Sequence, residues 1–588
     1  MKERLRIAAL MGLASGGMEF LLRVDPRLGF GFFEHLLWAL GALLAGLLVA
    51  LPMAGVGYLV RHVPYVGPRR DGLPLGALLA VHAVLFYRFE VALNEPMSDP
   101  RLLVILIGMG VGCMIMGLTA ARWIGKGLKF AVLAGAIGFW FAFIRGLPPG
   151  PSAETEGPNL LIVTWDTTRP DRLGAYGGPA YTDTLSRLAS GGVRFDQAVA
   201  TAPLTEPSHL SLLTGLNTTT TGVVSNGTPL GQQPLMLQHR LSDEGFRTGA
   251  VVSGFPLHSR YGWDQGWDVY DDDFGAVAGV HQLSLGRLLE NVFLPGNTLR
   301  ERPGDRAVKR AKSFLKRSEG GRWFLWLHLF DPHAPYEQSD LEGAPRDGEA
   351  LDLPGYWPPP HRSITSAEWL TDAYDDELEH TDVLTGDVLG WLVEHDLYDN
   401  TIIVMTADHG ESLTEHGTLF DHGDDLYDPS LRVPLIIRGP GITPGVVPCQ
   451  VSGADLVPTL VELLDLTEMN TDGQSLVPVL QGETCDDHRV ISTTMGARFV
   501  ENPPLDLSLR DPTTKYIRHG EGPPELYDLL DDPGELDDLA HRDDLVTYWN
   551  EVLDAELQDR VVELKPPAMD TESLRMLMEL GYLEDPEE

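Results

Sequence analysis

Cysteine is almost missing from this chain, with three residues among 588. That excludes a disulfide framework and any zinc site built from several thiolates. Cys113 falls in a strongly apolar stretch and reads as a packing residue. Cys449 and Cys485 remain a candidate pair if their part of the chain lies outside the cytoplasm. Positive charge is short too: 44 Lys and Arg stand against 84 Asp and Glu, for a net charge of -40. No basic cluster offsets it, which excludes nucleic acid as a partner and leaves the acidic excess as a solvated coat. At 43% hydrophobic the chain is not a disordered one, and its length calls for two or more units.

Long apolar runs are plentiful, but only before residue 147. They cover 5–22, 35–60, 73–93, 102–121 and 130–147, most of them near the ~20 residues that cross a bilayer as helix. Basic residues cluster at the start (Lys2, Arg4 and Arg6), after the second run (Arg61, Arg69 and Arg70) and after the fourth (Arg122, Lys126 and Lys129). Those loops belong inside, so five spans leave everything after Arg145 outside. Glu19, His82 and Arg88 show no motif spacing, and no internal repeat marks a transporter. The expectation is a multi-pass inner-membrane anchor over 1–147, a Pro/Gly-rich linker over 148–158, and a catalytic part that is periplasmic or extracellular.

The remainder alternates buried-strand runs (159–166, 322–330, 401–408, 433–439) with helix-like segments (182–191, 208–216, 372–396). This pattern predicts an α/β fold with a largely parallel central sheet and a ligand site at the carboxyl ends of its strands. Asp166, His328, Asp331, His333, Asp408 and His409 all fall at such ends. Hard carboxylate oxygens with imidazole make a divalent-cation set, and without a cation they would repel one another.

Four stretches, "NLLIVTWDTTRPDRLGAYGG", "APLTEPSHLSLLTG", "DPHAPY" and "TADHGESLTEHG", resemble in order and spacing the motifs of the sulfatases, metal-dependent ester hydrolases of the alkaline phosphatase superfamily. The resemblance covers 158–540, with "TKYIRHGEGPPELYDLLDDPGELDDLA" similar to the family's C-terminal piece. It implies a catalytic domain over 159–500 and a small C-terminal subdomain and tail over 501–588. It also implies one divalent ion held by Asp166, Asp408, His409 and the nucleophile Thr205, with Ca, Mn, Mg and Zn all left open. Thr167 stands where the family often has a second Asp, which points to fewer carboxylate ligands. His333 matches a histidine used near the ester oxygens or leaving group, while His328, His416 and His422 fall to supporting or rim positions.

The family's signature carries Cys or Ser, converted to formylglycine, with Arg four residues on. Here those places hold Thr205 and His209, and Thr does not yield the aldehyde. Thr205 then attacks as a metal-activated alkoxide, as in related phosphodiesterases and phosphoethanolamine or phosphoglycerol transferases, or it cleaves sulfuric esters as an unmodified alcohol. The bland alternative makes it the N-cap of a helix starting near Pro207, a place that also offers N–H groups to an anion. His209 and Arg169 join the candidate catalytic set, Arg169 for the ester's charge; Asp171 reads as a turn and salt-bridge residue, and Lys515 is a weaker candidate. Expected substrates are small-molecule, glycan or lipid sulfate or phosphate esters at the membrane, with an inactive envelope binding protein as the other reading.

Overall fold

The computed structural model describes residues 157–558, apart from 232–234, 275–300, 497–504 and a few shorter positions. The five apolar runs of 1–147, Cys485 and the tail lie outside the described residues. Among the described residues no helix is long and apolar enough to cross a membrane.

The run Asn159–Trp165 forms β1, with all seven residues buried. Continuous burial means both faces are covered, as in the middle of a parallel sheet. Its carboxyl end leads, through a loop, to α1 (Asp183–Ser190) and β2 (Val193–Val199). After β2 the chain enters α2 (Thr205–Thr214), a helix whose every residue is buried. Gly215 ends it at φ 71°, its N–H donating to Ser211 O, and a Cβ there would lie 2.6 Å from Thr471. Next come β3 (Arg247–Val251) and β4 (Val269–Asp271), α3 (Gly304–Arg317), β5 (Trp323–Leu329), the 28-residue α4 (Ala367–Glu394) and β6 (Thr401–Ala407). Then β7 (Arg432–Arg438) and β8 (Gly445–Ser452) complete an eight-stranded sheet of order β4-β3-β5-β1-β6-β7-β2-β8.

The sheet is mostly parallel, as alternation predicts, with β7 as the exception. It pairs antiparallel with both β6 and β2, so β2 runs the same way as β1 and β6. Registers place the working edge. Trp165 pairs with Leu329 on one side and Ala407 on the other, and Thr164 pairs with His328. The strands β1 and β6 therefore end flush, and the next residue of each is an aspartate.

A second, antiparallel sheet has the order β12-β11-β10-β9, from β9 (Val490–Thr494), β10 (Asp506–Arg510), β11 (Thr514–Arg518) and β12 (Glu525–Asp528). It begins at Val490, so the boundary expected at 501 falls inside it. One face packs on α5 (Asp543–Leu557) through Leu509, Tyr516, Trp549 and Leu553; Val490, Ile517 and Tyr527 pack on Val199 and Leu431 of the larger sheet's region. Cys449 on β8 is disulfide-bonded.

Candidate active site

Asp166 and Asp408 emerge side by side from β1 and β6, both fully buried. Among the described residues neither Asp166 oxygen has a hydrogen-bond partner, nor has Asp408 Oδ2. His409 closes the group. Its Nδ1 lies 2.9 Å from Gly410 O, a pure acceptor, so Nδ1 carries the proton and Nε2 presents a lone pair. Nε2 stands 3.8 Å from Asp166 Oδ1 and 3.5 Å from Asp408 Oδ2. Three electron-rich groups converge, and neither His409 Nε2 nor the facing carboxylate oxygens meet a donor among the described residues other than histidine rings and the Thr205 hydroxyl. Burial pushes both aspartates up to about 7 and His409 down to about 3. These three residues offer ligand atoms within 4.8 Å of one another, and the donor set fits a divalent cation.

Thr205 reaches the same cluster: its Oγ1 is 3.5 Å from His409 Nε2. It is not the helix cap. The cap position belongs to Leu204, in extended backbone at φ -138°, and Thr205 is the first helical residue with its hydroxyl turned to the cluster. Beyond Thr205 itself the first turn of the helix offers little to an anion, against expectation. The Glu206 N–H is taken by Asn226 Oδ1 at 2.8 Å, Pro207 has none, and Ser208 N–H bonds Leu204 O at 3.1 Å. Ser208 and His209 act as staples instead. Ser208 Oγ donates to Asp408 O (2.5 Å) and His209 Nδ1–H to Thr205 O (2.8 Å). The other ring nitrogen of His209 accepts from Thr164 Oγ1 (3.2 Å), which in turn accepts from Trp326 Nε1 (3.0 Å). Both nitrogens are engaged and burial holds the ring down to about 3, so His209 positions α2 rather than meeting substrate.

A sequence model of the Sulfatase family matches residues 158–466, just over half the chain. The chain belongs to the sulfatase family. As a member it is an ester hydrolase. It is 27% identical to a choline-sulfatase of Rhizobium meliloti, over 66% of this chain and 83% of that one. It is also 27% identical to an ulvan-active sulfatase of Formosa agariphila, over 70% and 82%. Among solved structures, a phosphonate monoester hydrolase of Agrobacterium radiobacter superposes with a TM-score of 0.55 at 20% identity, covering 68% of this chain and 96% of that one. That last likeness speaks for the fold.

This sulfatase holds its remaining candidates in different ways. Thr167, in place of a second aspartate, sits at φ 49° with its hydroxyl buried and unpartnered. A β-branched residue is strained there. The turn is held by Tyr374 on α4, whose hydroxyl donates to Thr167 O (2.7 Å) and accepts from Arg169 N–H (3.0 Å). Arg169 does not face an ester. Its guanidinium forks onto Asp171 (3.0 and 2.8 Å) and also bonds Glu415 Oε1 (2.8 Å) and Glu411 O (3.1 Å). Asp171 is the salt-bridge residue expected. Lys515 is likewise committed, to Asp428 and Glu535 (2.6 Å each) and Leu426 O (3.0 Å), a buried brace between β11 and the segment after His422.

His328 lies under the cluster, with Nε2 3.3 Å from Asp166 Oδ2, and burial takes it down to about 4. His333 stacks on Phe330 (4.3 Å) and donates from Nδ1 to Ala334 O (2.6 Å); burial keeps it well below the usual histidine range. The His422 ring lies 5.0 Å from that of His333 and 4.5 Å from that of His409, which joins both to the cluster. His416 stacks on Tyr427 (3.6 Å).

Three residues of this site escaped the sequence reading. Glu411, in "DHGES", is fully buried with Oε1 3.4 Å from His422 Nδ1 and Oε2 unpartnered; burial raises it well above the usual range. Glu206 and Asn226 are buried beside Thr205, and the Asn226 Nδ2 group has no partner among the described residues. Asn226 lies in "SNGT", which sequence alone reads as a turn.

Proposed function

We propose that this sulfatase is a membrane-anchored hydrolase of sulfuric or phosphoric esters in which Thr205 Oγ1 is the nucleophile. The observation that carries the reading is the Thr205 hydroxyl 3.5 Å from His409 Nε2, in one buried cluster with three carboxylate oxygens, both of Asp166 and Oδ2 of Asp408, that have no hydrogen-bond partner among the described residues. Asp166, Asp408, His409 and Thr205 would hold one divalent cation. When bound, such an ion supplies Lewis acidity, favouring the ionised hydroxyl and drawing charge from an ester oxygen. Thr205 Oγ1 bonds to sulfur or phosphorus as the bond to the leaving alcohol breaks. His333 steadies the ester or hands the leaving oxygen the proton that Thr205 gives up. Water then attacks the threonyl ester, its hydroxyl bonding to sulfur or phosphorus and its other proton going to Thr205 Oγ1, so that sulfate leaves from a sulfate monoester and a phosphate monoester from a phosphodiester. Asn226 Nδ2 supplies the donor for a non-bridging oxygen. The anchor is residues 1–147, supported by the five apolar runs and their basic flanks, with the catalytic part outside the inner membrane.

Charge bears on the ester. Two carboxylates balance one divalent ion, and Arg169 and Lys515 are already spoken for. The balance favours esters with a single negative charge, sulfate monoesters and phosphodiesters, over dianionic phosphate monoesters. Transfer to an envelope alcohol would use the same Thr205, supported by the apolar runs; release of free sulfate, or of the phosphate monoester from a diester, in water separates hydrolysis from it.

The test uses the full chain in detergent. Turnover of an aryl sulfate, a bis-aryl phosphodiester and an aryl phosphate monoester is measured after chelation and after adding back Ca, Mn, Mg or Zn. Chelation is expected to remove activity and one of these ions to restore it, with the monoester slowest; Asp408→Asn is expected to lower activity at least about 10²-fold and raise the ion concentration needed. Full turnover in chelator overturns the metal assignment, and a preferred dianionic monoester overturns the charge argument.

A further inference from the structure

We propose that Glu206 is a positioning residue whose side chain clips residues 225–228 to the start of α2 and thereby holds the Asn226 amide in register with the Thr205 hydroxyl. The inference rests on Thr205 being the nucleophile. The clip is reciprocal. The Glu206 N–H donates to Asn226 Oδ1 at 2.8 Å, while Gly227 and Thr228 donate their N–H groups to Glu206 Oε2 at 2.5 and 3.1 Å. Gly227 at φ 81° lets these successive N–H groups turn toward one oxygen, the concave arrangement that holds anionic or carbonyl oxygens. The Thr228 hydroxyl closes the turn onto Ser225 O at 3.0 Å.

Side-chain chemistry makes the clip directional. A backbone N–H can be met only by the oxygen of an amide, so the Asn226 side chain has one orientation and its Nδ2 faces away from the Glu206 N–H. That NH2 group is buried and unpartnered, one residue along the clip from the nucleophile. The Glu206 side chain bonds Gly227 and Thr228, and among the described residues it makes no hydrogen bond to Thr205 or the cluster. It acts on them through the peptide that joins it to Thr205 and through the Asn226 amide that this peptide holds. A buried apolar residue at 206 would leave two buried N–H groups without an acceptor, and the loop carrying Asn226 would shift to find one. A shift near 1 Å in a group that meets a reacting ester is enough to lower the rate by about 10²-fold.

The variants are Glu206→Gln, which keeps the carbonyl acceptor, Glu206→Asp, which keeps the acid but draws it back by one methylene, and Glu206→Ala. All are measured in the full chain below their melting temperatures, on whichever ester the parent turns over, beside Thr205→Ala and Asn226→Ala. Glu206→Gln is expected within about threefold of the parent, and Glu206→Asp about 30- to 100-fold lower in kcat with KM little changed. In an Asn226→Ala background the Glu206→Asp change is expected to lower kcat by less than about threefold, because the amide it positions is gone. Should Glu206→Ala fail to fold, the Gln and Asp pair decides alone. Glu206→Asp with parental kcat, or an undiminished loss in the Asn226→Ala background, overturns the clip. Parental activity in Thr205→Ala overturns the nucleophile reading itself; loss in Thr205→Ala with indifferent Glu206 variants overturns only the clip.

Discussion

Thr205→Ala lowers ester turnover by about 10⁴-fold or more, while Thr205→Ser keeps most of it. The expectation follows from the setting of the hydroxyl. Thr205 is fully buried at the first position of α2, its Oγ1 facing His409 Nε2, and no other hydroxyl is placed against that nitrogen in the described residues. Alanine removes the attacking oxygen and leaves the backbone acceptor for His209 intact, since that bond runs to the Thr205 carbonyl. Folding should therefore survive, and the melting transition is the control. The measurement is kcat with mass spectrometry of protein quenched during turnover: the parent carries the ester group on the peptide containing residue 205 and the Ala variant does not. An Ala variant within about tenfold of the parent would reduce Thr205 to a packing residue.

Lys515→Met has the largest expected effect on stability, a loss of about 3–5 kcal/mol. Lys515 is fully buried and its ammonium bonds two carboxylates, Asp428 and Glu535, along with Leu426 O. Burial alone would raise Asp428, but the Lys515 ammonium and the Arg510 guanidinium hold it far below the usual carboxylate range. Removing the lysine leaves Glu535 buried without its cation and Asp428 with Arg510 alone (2.9 Å). Denaturant unfolding of the full chain measures the loss. Adding Glu535→Gln to Lys515→Met should recover part of it, because the uncompensated charge and not the missing methylenes dominates. No recovery would mean that packing around the lysine stem carries the effect.

The sequence made some of this legible and hid the rest for identifiable reasons. Continuous apolar runs ending in an acid marked β1 and β6, because a strand buried on both faces admits no polar alternation. The direction of β7 was hidden, since a run such as "VPLIIRG" looks the same in either sense. The start of α2 was read near Pro207 because threonine is a good cap residue; in the fold Leu204 supplies the extended cap position and Thr205 turns helical. Arg169 looked available because, besides the neighbouring Asp171, the partners that complete its coordination come from far along the chain, Glu411 and Glu415 on the loop after β6. Asn226 and Glu206 were invisible for the same reason: a turn asparagine and a glutamate read as solvent-facing until tertiary structure buries both.

The flush ends of β1 and β6 carry a consequence for how such an enzyme varies. Neighbouring strands lie about 4.8 Å apart wherever a parallel pair is hydrogen-bonded. Asp166 and Asp408 follow the last paired residues of the two strands, so the spacing of their main chains is set by the peptide lattice and not by loops. Loops beyond them are free to lengthen, shorten or change composition without re-measuring the pair. Recognition of the alcohol can thus drift on one timescale while the inorganic chemistry stays fixed on another.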